Sequence, residues 1–149
     1  MIYFNCDYLE GGHPKILEKM LSTNMEQLTG YSTDHYCDSA RERIRQACGC
    51  PDADVHFLVG GTQTNLTAIA SILRPYQGVL AAHDGHIACH ETGAIEATGH
   101  KVLPIPCVDG KITADQVREF CHSHQINTMR EHMVQPGMVY ISFPTEIGK

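Results

Sequence analysis

Val55-His56-Phe57-Leu58-Val59-Gly60-Gly61-Thr62-Gln63-Thr64-Asn65 is the stretch on which the reading of this chain turns. Its apolar run, Phe57-Leu58-Val59, has the length and composition of a buried strand. Gly60-Gly61 breaks the run, and Leu66, Ile69, Ala70 and Leu73 resume at helical spacing until Pro75 stops them. A strand, a glycine turn and a helix in that order aim unpaired backbone N–H groups and the positive end of a helix dipole at one place. Thr62, Gln63 and Thr64 add side-chain donors there. The same residues also describe an ordinary tight turn between strand and helix, capped by Thr62. Neither the dinucleotide fingerprint nor a Walker loop is present, because the third glycine and the Lys-Ser/Thr pair are missing.

Downstream the pattern alternates. Residues 78–82 read as a strand, 86–98 as a helix stopped by Gly99, and 101–105 as a strand whose Pro104 suits an edge or a bend. Asp109-Gly110 is a turn, and Thr113-x-x-Gln116 is a capping box opening a helix through Val117, Phe120 and Cys121. Residues 138–143 read as a further strand, closed by Pro144. This alternation predicts an α/β fold, with a mostly parallel sheet and flanking helices. Such sheets bind ligands beyond the carboxyl ends of their strands. The glycine turn at 60–61, the connection at 82–86 and the tail at 144–146 should therefore converge.

Upstream, residues 1–10 read as extended and Gly11-Gly12 as a break. Pro14 opens a helix with Ile16, Leu17, Met20 and Leu21 on it. Residues 24–33 form a polar loop. Asp34 caps a second helix bearing Ala40, Ile44, Ala47 and Cys48, which ends near Gly49 and Pro51. The expected division is an N-terminal segment with helices at 1–52 and the sheet-bearing part at 53–149.

With 149 residues the chain can bury a core, and 42% hydrophobic with 19% charged residues is ordinary for a globular protein. A net charge of −6 argues against nucleic acid as a partner. No apolar run approaches a membrane span and no leader pattern opens the chain, so no membrane partner and a cytoplasmic location are expected. The seven cysteines, at odd spacings without CxxC pairs, read as reduced thiols.

Two clusters carry chemistry. A phosphate held at Gly61-Thr62, with the His86 imidazole delivered by the next strand end, suits a phosphorylated cofactor with a flat ring. The plainer alternative has His86 start a helix and face water. His86, Cys89 and His90 share a helix face and suit zinc, but no second cluster of matching spacing completes four ligands, so no metal is expected. No serine or cysteine sits in a nucleophile elbow.

Taken together, Gly11-Gly12-His13-Pro14, Tyr31-Ser32-Thr33-Asp34, Gly60-Gly61-Thr62-Gln63-Thr64-Asn65, Asp84-Gly85-His86-Ile87-x-x-x-Glu91-x-Gly93-Ala94 and Pro144-Thr145-Glu146-x-Gly148 resemble the threonine aldolase/β-eliminating lyase family. The resemblance runs along nearly the whole chain, and the GT-x-x-N loop followed by H-I-x-x-x-E is its specific part. It implies part of the large domain of a pyridoxal 5'-phosphate (PLP) enzyme of the aspartate-aminotransferase fold type (fold type I). The implied activity is lysis of the Cα–Cβ bond of a β-hydroxy-α-amino acid, giving glycine and an aldehyde. Gly61, Thr62 and Gln63 would hold the cofactor phosphate. His86 would stack on its ring and assist proton movement, with Glu91 behind it orienting the imidazole. Cys6 and Asp7 fall where the family places a substrate-contacting Ser-Asp or Asn-Asp pair, and Cys6 departs from that pair. Ser32 stands where glycine is usual. A homo-oligomer, dimer or tetramer, is implied as well.

The family's cofactor-anchoring lysine follows a motif like Pro144-Thr145-Glu146, and none of Lys15, Lys19, Lys101, Lys111 and Lys149 has the matching context. The chain thus reads as the first half of a PLP-binding large domain, with no turnover expected of it alone. Two further functions are compatible with the residues: another fold-type-I activity, aminotransferase-like, and a non-catalytic interaction module of the same fold.

Overall fold

A computed structural model describes residues 10–149. The expected extended segment at the N-terminus lies almost wholly outside them. The chain divides into two compact units with the boundary between Phe57 and Leu58.

The first unit carries two helices, and local chemistry sets their ends. Pro14 opens α1 (Pro14–Thr23), where its missing N–H costs nothing, and His13 Nδ1 accepts from the Lys15 N–H at 3.2 Å. Asp34 caps α2 (His35–Cys48), accepting from the backbone N–H groups of Tyr36 and Cys37 at 2.9 and 3.0 Å. Arg41 donates to Ser32 O at 2.7 Å and Arg45 to Ala53 O at 2.8 Å, so guanidinium groups tie the loops to α2. Ser32 has φ +59, in the left-handed region that favours glycine. No residue from 10 to 57 is buried.

The second unit holds a three-stranded parallel sheet in the order β2-β1-β3, from β1 (Gln77–Ala82), β2 (Val102–Ile105) and β3 (Gln135–Val139). Helix α3 (Gly61–Ile72) and the short α4 (His86–Cys89) and α5 (Ala94–Ala97) are joined to one face through Ile69, Leu73, Val79, Ala81, Ile87, Ile95 and Val102. Helix α6 (Ala114–Ile126) covers the other, where Val117 and Phe120 meet Leu80, Leu103 and Ile105. Central β1 is buried on both faces, as a near-continuous apolar run in a parallel sheet should be. Pro104 is exposed on edge strand β2, where a missing N–H breaks no ladder. The capping box at Thr113 and Gln116 is formed. Asp109 (φ +53) and Gly110 (φ +72) make the tight turn of a small hairpin closed by Val108 and Lys111. A Cβ on Gly110 would also stand 2.7 Å from Thr145 Cβ.

Three expectations are corrected. Residues 55–59 form no strand, and Phe57, Leu58 and Val59 are 41%, 43% and 96% exposed. A strand exists only through hydrogen bonds to a neighbour, and among the described residues 55–59 pair with none of β1, β2 and β3. The single helix expected over 86–98 is two short ones, because Thr92 (φ +51) and Gly93 (φ +75) interrupt the ladder with left-handed backbone. The last strand runs over Gln135–Val139 rather than 138–143. It begins earlier because Pro136 is tolerated on an edge, with the register shift at Gly78/Val79.

Candidate functional site

The connection leaving β1 and the first turns of α3 share a polar chain. Glu91, whose side chain is fully buried, lies between them. His86 Nδ1 is 2.8 Å from Glu91 Oε1, and Asn65 Nδ2 donates to the same oxygen at 2.5 Å. Asn65 Nδ2 also reaches Tyr140 Oη, just past the end of β3, at 3.4 Å. Left-handed Thr92 and Gly93 follow Glu91, so the break in the helix and the inward carboxylate belong to one local conformation. Because Oε1 accepts from both neighbours, the proton between His86 and Glu91 is assigned to Nδ1, leaving Nε2 with its lone pair. The His86 side chain stays 40% exposed. Glu91 Oε2 is buried with no partner among the described residues, an incomplete hydrogen-bond shell.

The glycine turn lies one helical turn before Asn65. The first ladder bond of α3 runs from Thr64 N to Gly60 O at 2.9 Å, so the N–H groups of Gly61, Thr62 and Gln63 precede the ladder. Gln63 Oε1 accepts from the Val59 N–H at 2.8 Å and pins the turn, leaving its amide NH₂ as the free end. Thr64 donates its hydroxyl to Gly60 O at 2.9 Å, which withdraws it from the donor set expected there. Among the described residues, a Cβ at Gly60 or Gly61 would meet nothing within 4 Å. Three aligned N–H groups, the Thr62 hydroxyl and open space above two glycines fit a phosphate. A half-exposed imidazole backed by a carboxylate fits the edge or face of a flat ring. The residues present thus fit PLP.

A cavity of about 280 Å³ opens at the carboxyl ends of β1 and β3, lined in part by Ala82, Asp84, Gly85, Tyr140, Thr145 and Glu146. The connection at 82–86 and the tail at 144–146 meet there, as expected for an open α/β sheet. The glycine turn does not line that cavity; it joins the site through Asn65. His86, Glu91, Gly61, Thr62 and Gln63 thus sit in one neighbourhood, whereas Cys6 and Asp7 lie outside the described residues. Asn65 and Tyr140 were in view in the sequence without a role. Asn65 had a signal, its place in the GT-x-x-N loop; Tyr140 read only as an apolar strand residue.

The trio His86, Cys89 and His90 does not assemble as a metal set. Glu91 takes His86 Nδ1, and Cys89 donates its thiol to His83 O at 3.1 Å. All six cysteines among the described residues are free. Among those residues, no helix is long and apolar enough to cross a membrane.

The family model described as beta-eliminating lyase matches residues 4–148. Two curated relatives are low specificity L-threonine aldolases: one from a Pseudomonas species, 28% identical, and one from Pseudomonas aeruginosa, 27% identical. Each alignment takes in 97% of this chain and 41% of the relative, so the chain spans about two fifths of their length. The solved structure of Leishmania major threonine aldolase superimposes with a TM-score of 0.87 at 50% identity, over 93% of this chain and 40% of that one.

Proposed function

The chain belongs to the β-eliminating lyase family, and on that premise we propose that it carries the phosphate- and ring-facing part of a PLP site in a threonine-aldolase-type lyase. The substrate is a β-hydroxy-α-amino acid, and the products are glycine and an aldehyde. The observation that carries the reading is the polar chain Asn65–Glu91–His86, which links the phosphate-competent end of α3 to a half-exposed imidazole. When bound, PLP supplies an electron sink for charge developing at the amino acid's α-carbon.

The roles of the chain's own groups follow from their surroundings. The N–H groups of Gly61, Thr62 and Gln63 and the Thr62 hydroxyl bind the phosphate, aided by the helix dipole. Glu91 and Asn65 fix the plane and tautomer of His86. His86 would face the ring of a bound cofactor, and its Nε2, held by the Glu91 contact at Nδ1, would accept the proton of the substrate's β-hydroxyl. We assign residues 1–52 to an N-terminal segment with helices and 53–149 to the first half of the PLP-binding domain. We also propose a cytoplasmic homo-oligomer, dimer or tetramer. Free cysteines agree with that compartment, and exposed Ile16, Leu17, Met20 and Leu21 on α1 agree with a second copy.

The test is a PLP titration of the chain followed in the visible spectrum, with inorganic phosphate as competitor. Saturable binding that phosphate displaces, and that Thr62→Ala and His86→Ala each weaken, supports the reading. Binding unchanged in both variants, or no binding, would overturn it. Release of glycine from threonine, assayed on a full-length relative carrying the equivalent His86→Ala change, checks the proton-accepting role.

A further inference from the structure

His83, Asp84 and Cys107 lie beyond the ends of paired strands, apart from the Asn65–Glu91–His86 chain and sharing only Asp84 with the cavity lining. Register pairs Ala82 with Ile105, and the His83 N–H continues the ladder to Ile105 O at 2.9 Å. His83 therefore directly follows one member of that pair, and Cys107 stands two residues beyond the other. Gln116 in α6 donates its side-chain amide to Pro106 O at 2.8 Å, which ties the Cys107 loop down. On this frame Cys107 Sγ is 2.9 Å from Asp84 Oδ1 and 3.4 Å from His83 Nδ1, and the donor atoms of all three residues lie within 4.8 Å of one another.

We propose that His83, Asp84 and Cys107 form a three-ligand site for a zinc-class divalent cation. A soft sulfur, a borderline imidazole nitrogen and a carboxylate oxygen are the mixed donors that zinc accepts. Bonds of about 2.3 Å to sulfur and about 2.0–2.1 Å to nitrogen and oxygen place tetrahedral donors roughly 3.3–3.6 Å apart. Pairs that include sulfur fall at the upper end, so the sulfur–nitrogen spacing of 3.4 Å nearly meets this and the sulfur–oxygen spacing of 2.9 Å needs to open by about 0.6–0.7 Å. That shorter spacing is a thiol hydrogen bond, and the ion takes the place of its proton: a metal–sulfur bond forms as the S–H proton leaves to water. Three protein ligands leave a fourth position for water or for a ligand's donor atom. Asp84 also lines the cavity at the ends of β1 and β3, so the three ligands stand at its rim.

The experiment uses the chain made without a histidine tag, stripped with chelator and dialysed against zinc alone. One equivalent is expected to bind. Cys107→Ser and Asp84→Asn should each weaken it at least tenfold, while Cys89→Ser leaves it unchanged. Zinc bound equally well by Cys107→Ser would overturn the proposal, because the chain's other histidines would then account for it. A second measurement needs no variant: saturating zinc should shield Cys107, but not exposed Cys48, from iodoacetamide, read by peptide mass. Labelling of Cys107 at an unchanged rate under saturating zinc would sink the site even if every variant misfolded.

Discussion

His83 and His86 stand close together on the connection that leaves β1, yet their polar clusters have opposite character. Around His86 the carboxylate of Glu91 is fully buried and bonds to side chains from two elements, with one oxygen left over. Around His83 the carboxylate of Asp84 is only half-buried and shares a proton with the Cys107 thiol, while His83 is exposed. Burial explains the contrast. A carboxylate out of water must be held by fixed donors, so the first cluster is rigid and specific. A carboxylate at the rim keeps water as a partner, so its geometry can still be rearranged by an ion.

The comparison is broken most directly by removing each carboxylate. Glu91→Ala leaves His86 Nδ1 and Asn65 Nδ2 without their shared acceptor and should cost about 2–4 kcal/mol in urea unfolding. Asp84→Ala should cost no more than about 0.5 kcal/mol, as expected of a rim position. Equal losses in the two variants would erase the distinction.

The next effect concerns the ring. His86→Ala should weaken PLP binding by roughly two- to twelvefold, the range of one lost ring contact at about 0.5–1.5 kcal/mol. His83→Ala should leave the PLP titration unchanged; a loss of the same size there would merge the two clusters into one site. Asn65→Ala should lower stability by about 1 kcal/mol, since His86 keeps its acceptor while the bond to Glu91 and the longer one to Tyr140 go. A double cycle with His86→Ala would show coupling if Asn65 acts through Glu91 on the imidazole.

The smallest effect is a titration. The hydrogen bond from Cys107 to Asp84, then burial, then the carboxylate's charge hold the thiol above its ordinary value. The reactive thiolate therefore appears at higher pH than in a free cysteine, and the rate of Cys107 alkylation should climb late as pH rises. Asp84→Asn removes the charge and should move the rise to lower pH. A profile that stays in place would separate Cys107 from Asp84.

Much of this was legible in the residues themselves. Local rules need only a few neighbours, so Pro14, Asp34, Thr113-x-x-Gln116 and Asp109-Gly110 marked helix starts and a turn that the structure contains. The apolar run over 78–82 and Pro104 in the following run placed a buried central strand beside an edge strand. The family motifs gave its membership.

What the chain could not state locally was decided by tertiary contacts. Phe57-Leu58-Val59 has strand composition and no strand, because pairing depends on which neighbours are present and not on the segment. Thr92 and Gly93 split a helix whose apolar spacing looked continuous, since left-handed backbone is set residue by residue. Asn65 and Glu91 are far apart in sequence, and only the packing of α3 against the sheet and its connections makes them share one oxygen with His86. Cys107 meets His83 and Asp84 for the same reason: β1 and β2 pair in a register that no spacing along the chain encodes. Residue types set which chemistries were available, and strand pairing with helix packing decided which side chains came within bonding distance.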